Sequence, residues 1–130
     1  LPLINGNASA LEQVFNNLVS NAIQAMQAIG GGDINIKISQ TTMSTGSQSI
    51  LISIGDTGPG IPEELRKRIF EPFFTTDTEK GTGLGLAIAQ HIVTSHKGSI
   101  EVESFPGGGT VFHIKFPIIN SQQDAEVLVT

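Results

Sequence analysis

The run Lys80-Gly81-Thr82-Gly83-Leu84-Gly85-Leu86-Ala87-Ile88-Ala89 constrains this chain more than any other stretch. Glycines alternating with Thr82 and Leu84 let the backbone take positive φ and pass close to another object, and the apolar residues after them run on as a helix. Bare N–H groups at a helix start form an anion site. Two readings stand at this point, a phosphate cradle and a tight connection, and the rest of the chain has to choose between them.

A chain of 130 residues fits one domain and can bury about two thirds of the surface that its unfolded form exposes. The formal net charge is -5, and Arg66, Lys67 and Arg68 are the nearest thing to a basic cluster. Nucleic-acid binding through a basic face is therefore not expected. There is no cysteine, hence no disulfide and no thiolate metal site, which is compatible with a reducing cytoplasm. The apolar runs are too short to cross a bilayer. The domain is expected to be cytoplasmic and without membrane contact, even if a parent protein is membrane-anchored. The opening Leu1-Pro2-Leu3-Ile4 lacks an initiator Met, and a piece of a longer protein is expected.

From about Ser9 to Ile29, Leu11, Phe15, Leu18, Ala22, Ala25 and Ile29 recur at spacings of three and four, predicting an amphipathic helix capped by Ser9 or Asn7. Gly30-Gly31-Gly32 ends it. Beside the apolar face runs an amide stripe, Gln13, Asn17, Asn21 and Gln24. Solvated helix residues are one account of it. Two asparagines at i and i+4 inside a helix, where Asn is a poor former, invite another. An amide oxygen can ligate a hard cation, and its NH2 can donate to phosphate.

Asp33 to Gln40 and Ser49 to Asp56 alternate, with Ile34, Ile36 and Ile38 matched by Ile50, Ile52 and Ile54, and predict a hairpin with an exposed loop over 41–46. Leu1 to Ile4 reads as a short edge strand. The second strand runs into Asp56-Thr57-Gly58-Pro59-Gly60-Ile61-Pro62. A carboxylate there, followed by glycines that admit a flat ligand, reads either as an acceptor for an exocyclic amino group or as a local turn cap. Pro62 opens a short helix over Glu63 to Ile69. Phe70-Glu71-Pro72-Phe73-Phe74 anchors a polar lid, Thr75 to Lys80, or is simple core packing. After the glycine turn, Leu84, Ala87, Ile88, Ile92 and Ser95 define a helix face, and Ser99 to Ser104 with Thr110 to Phe116 predict a second hairpin. Residues 118–130 read as a tail or linker after a domain over 1–117.

Taken together, Asn17-x-x-x-Asn21, Asp56-x-Gly58-x-Gly60, the Phe70 to Phe74 cluster and Gly81-x-Gly83-x-Gly85 resemble the catalytic, ATP-binding domain of two-component sensor histidine kinases. The phrasing around Glu71-Pro72-Phe73-Phe74 and Gly83-Leu84-Gly85 resembles nitrogen-regulator-type kinases. The resemblance implies an α+β fold, the Bergerat two-layer sandwich shared with DNA gyrase, Hsp90-type chaperones and MutL repair proteins. In it, helices cover one face of a mixed sheet and ATP lies between helices and sheet.

By position, the resemblance makes Asn21 the Mg2+ ligand and has Asn17 bond phosphate or a metal-bound water, both counted as catalytic. Asp56 accepts from the adenine amino group, with Gly58, Gly60 and Ile61 shaping the base pocket. Gly81, Thr82, Gly83, Leu84 and Gly85 offer the phosphate cradle. Where many members place a Lys, this chain has Gln24, which leaves Lys80 as the candidate cation. In related ATPases a Glu stands where Asn17 does. An amide is no general base at neutral pH, so hydrolysis should be slow. The γ-phosphate then goes to a His on a separate helical dimerisation domain of the same kinase, in cis or in trans, with a response regulator downstream. His91, His96 and His113 fit no acceptor motif and read as structural, so the chain alone should not autophosphorylate. The alternatives are an ATPase of the same fold, a serine kinase of the anti-sigma-factor type, and a degenerate partner-binding module.

Overall fold

The computed structural model describes residues 7–42, 44, 46–74, 83–105 and 107–118. The chain runs α1 (Ala8–Gln27), β1 (Ile34–Thr42), β2 (Gln48–Asp56), α2 (Glu63–Arg66), α3 (Gly85–Ser95), β3 (Ser99–Ser104) and β4 (Thr110–Pro117). Leu1 to Ile4, the lid Thr75 to Lys80 and most of the tail lie outside the described residues.

The four strands form one sheet in the order β1-β2-β4-β3. Every pairing among the described residues is antiparallel, so the mixed sheet that the resemblance implies is not found there. In register, Ile36, Ile54, Phe112 and Val102 share one face, and so do Ile38, Ile52, Ile114 and Ile100. Alternation thus sends one set of side chains toward the helices and the other to the opposite face.

Asn7 caps α1, its side chain accepting from the Ala10 amide at 3.0 Å, which decides between the two candidate caps. The helix buries Val14, Leu18, Ala22 and Met26, so of the predicted stripe Leu18 and Ala22 are buried while Leu11, Phe15 and Ala25 are half-buried, the buried face being centred between them and Val14 and Met26. Ile29 falls beyond the helix and is exposed. In α3 the buried positions are Ala89, Ile92 and Val93, with Leu84, Ala87 and Ile88 only half-buried. The face turns toward Ala89 and Val93 because α3 packs against α1 as well as the sheet.

The core joins Val14 and Leu18 to Ala89, Ile92, Val93 and the inward residues of β2 and β4. Phe70 enters it edge-on to Phe112, with centroids 6.2 Å apart. Ile36 and Ile38 share the helix-side face but stay 50% and 52% exposed, because the helices lean on β2 and β3 and leave the outer strand uncovered. No helix among the described residues is long and apolar enough to cross a membrane.

Candidate functional site

The amide stripe and the glycine-rich turn meet. Asn17, half-buried in mid-α1, donates from Nδ2 to the carbonyl of Gly85 at 3.1 Å. Gly85 is the first residue of α3, so this bond fixes the start of that helix against α1. It also sets the orientation of the Asn17 amide, because the NH2 is used and Oδ1 is left as the acceptor end. Asn21, one turn on, is likewise half-buried.

The turn is anchored from its other side. Gly83 accepts from the Phe73 amide at 2.7 Å and has φ of 73°, with an added Cβ falling 2.3 Å from the Phe73 carbonyl carbon. Only glycine fits so close a backbone crossing. The side chain of Phe73 is 74% exposed, and it is the Phe73 backbone, itself at φ 68°, that holds the turn. Residues 73 and 83 thereby close the base of the intervening segment. Lys80, Gly81 and Thr82 lie outside the described residues, and Leu84 is half-buried as the residue before α3.

At the far end of α1, Asp56 closes β2, buried, with Oδ1 accepting from the Gly58 amide at 2.9 Å. One backbone donor satisfies one carboxylate oxygen, and among the described residues no ion pair reaches it. Buried carboxylates without a cation are costly unless hydrogen-bonded or matched by a donor from outside. Gly58 is buried against α1, with an added Cβ 3.4 Å from Cβ of Ala25. Asn17, Asn21 and Ala25 are successive turns of one helix face, so the glycine turn and the Asp56 loop sit about 12 Å apart along α1.

Gly60, with φ of 80°, passes so near Phe105 that an added Cβ would be 2.2 Å from its carbonyl oxygen. Ile61 is half-buried beside it. Ser104 and Thr110, both buried, close this side, and Thr110 is the cross-strand partner of Asp56. Neither was singled out from the sequence. The available signal was a hydroxyl on each side of the second hairpin's turn, on the inward-facing register of Val102 and Phe112.

The histidines stand apart. His91 is exposed on α3. His96 follows α3, its Nε2 accepting from the Asn7 amide at 3.1 Å and its Nδ1 2.7 Å from the Ile92 carbonyl, so its one ring proton is on Nδ1. His113, on the opposite sheet face, lies between Ser53 at 2.9 Å and Glu103 at 3.0 Å.

Residues 6–120 match the family model described as histidine kinase-, DNA gyrase B- and HSP90-like ATPase. Sporulation kinase A of Bacillus subtilis is 45% identical over 114 residues, covering 88% of this chain and 18% of that protein. The chain thus spans about a fifth of the length of the curated relatives it matches. Among solved structures, the mycobacterial sensor histidine kinase MprB superposes with a TM-score of 0.76 at 30% identity, over 91% of this chain and 76% of that one. Full-length ShkA in complex with AMPPNP superposes at 0.72, also at 30% identity, over 93% of this chain and 24% of that one. The sequence motifs, the two-layer architecture and the match over most of the chain converge: the chain belongs to the histidine kinase-, DNA gyrase B- and HSP90-like ATPase family.

Proposed function

We propose that this chain binds Mg-ATP along α1 and donates the γ-phosphate to a histidine on a separate helical domain of the same kinase, in cis or in trans, with a response regulator downstream. The observation that carries the reading is the span of α1 from the Asn17–Gly85 contact to the Ala25–Gly58 contact. A glycine-rich helix start lies at one end and a buried acceptor at the other, separated on the scale of the phosphates and base of one nucleotide.

Asp56 receives the adenine amino group in this reading, in a pocket walled by Gly58, Gly60 and Ile61. The N-terminal amides of α3 and the turn over residues 81–85 receive the phosphates. Asn21 would ligate a hard cation such as Mg2+, and the acceptor end of Asn17 would take a hydrogen bond from a water held by that cation. When bound, Mg2+ neutralises triphosphate charge. The acceptor imidazole nitrogen attacks phosphorus, the bond from phosphorus to the bridging oxygen breaks, and ADP leaves with the electron pair. Asn17 cannot take a proton from water, which favours transfer over hydrolysis. His96 has both ring nitrogens engaged and His113 lies on the opposite sheet face. These placements of His96 and His113 support an acceptor outside this chain.

Calorimetric titration with Mg-ATP tests the site. Asp56→Asn should lose adenine recognition and Asn21→Ala should lose the Mg2+ dependence. If both variants bind as the parent chain does, the assignment is wrong. With γ-labelled ATP, label should appear on an added phosphoacceptor domain and not on this chain.

A further inference from the structure

The loop that follows Asp56 does not hold its own shape. It is clasped from the β3–β4 turn. The Gly107 amide donates to the Pro59 carbonyl at 2.7 Å, and Ser104 Oγ accepts from the Ile61 amide at 2.7 Å. Ser104 Oγ also donates to the Gly109 carbonyl at 3.0 Å and lies 2.9 Å from Thr110 Oγ1.

A serine hydroxyl has one proton and two lone pairs. The Gly109 carbonyl can only accept, so it takes the Ser104 proton, while the Ile61 amide uses one lone pair. The Thr110 hydroxyl must then donate to the other. Ser104, 1% exposed, spends its whole capacity joining the loop after Asp56 to the residue facing Asp56 across the sheet.

We infer that Ser104 is a positioning residue for base recognition: its hydroxyl fixes the Asp56–Ile61 loop and orients Thr110, so that the chain discriminates an adenine base from one lacking the 6-amino group. This rests on the proposal that Asp56 receives adenine. A buried three-way hydroxyl between two turns has no apolar substitute, because alanine would leave the Ile61 amide and the Gly109 carbonyl without that partner.

The test is competitive titration of the chain with Mg-ATP and Mg-GTP. Ser104→Ala is expected to weaken Mg-ATP binding about tenfold and to lower the ATP-over-GTP preference by a similar factor. A purely structural role would weaken both nucleotides alike and leave the preference unchanged, and that result overturns the inference. Asp56→Asn separates the two layers. If it keeps the preference, the adenine reading fails and this inference with it. If it loses the preference while folded Ser104→Ala retains it, the inference alone fails. Should Ser104→Ala not fold, amide exchange of the parent chain decides: the Ile61 amide is expected to be protected without nucleotide, and exchange there at the rate of an open loop overturns the assignment.

Discussion

The amide of Asn17 donates to the carbonyl of Gly85 at 3.1 Å, tying the middle of α1 to the start of α3 across 68 residues of sequence. The bond needs a donor. Asn17→Asp replaces it with an acceptor-only carboxylate facing a carbonyl, in a half-buried position and beside the proposed phosphate site. Stability should fall by about 1–3 kcal/mol, from the lost bond and the unmatched charge, and Mg-ATP affinity should fall as well. Urea denaturation and nucleotide titration check the two losses separately. An unchanged midpoint would show that the contact is not maintained in solution.

At the entrance to the same helix, Asn7 accepts from the Ala10 amide with its side chain and donates its own amide to His96. Asn7→Ala keeps the second bond and removes the first. A loss of about 1 kcal/mol is expected, the usual cost of deleting a helix N-cap, with nucleotide affinity unaltered because the cap lies more than two turns from Asn17. A shift in affinity matching the shift in stability would mean that the two ends of α1 are coupled.

Ser49 points the other way in energy. It is fully buried on the sheet face away from the helices, and its Oγ has no hydrogen-bond partner among the described residues. An unsatisfied buried hydroxyl costs free energy that a methyl group does not. Ser49→Ala is therefore expected to be neutral or to stabilise by up to about 1 kcal/mol, read from the denaturation midpoint. A clear loss of stability would reveal a partner for the hydroxyl.

Much of this was legible in the sequence because two periodicities carry it. The alternating isoleucines at 34–38 and 50–54 located the first hairpin and its inward face, and the three-and-four spacing located α1 with its amides. Periodicity gives direction without cover: Ile36 and Ile38 face the helix layer yet stand half exposed, since nothing in a strand's own residues says whether a helix lies over it. Phe73 shows the reverse limit. Its aromatic ring suggested an anchor, but the hydrogen bond to Gly83 is made by its backbone and the ring is solvent-exposed. Ser104 and Thr110 were not legible because their meaning depends on register, which places Thr110 opposite Asp56 only once β2 and β4 pair.

Gly83 and Leu18 together separate the site from the fold. Leu18 is fully buried in the core, and Leu18→Ala should cost about 2–5 kcal/mol. The fraction that remains folded should bind Mg-ATP as before. Gly83→Ala should do the opposite. Its Cβ would lie 2.3, 2.5 and 2.7 Å from the carbonyl carbon, Cα and oxygen of Phe73, all backbone atoms that no rotamer change can move aside. The left-handed φ adds about 1–2 kcal/mol for an L-residue. The chain can escape by breaking the Phe73–Gly83 bond, at about 1 kcal/mol, because neither residue belongs to the core. Stability should then drop only modestly, while Mg-ATP affinity falls tenfold or so as the turn that precedes α3 loses its anchor. Parallel denaturation and titration of the two variants give a crossed pattern, and Gly83→Ala binding with parental affinity would remove the glycine turn from the site.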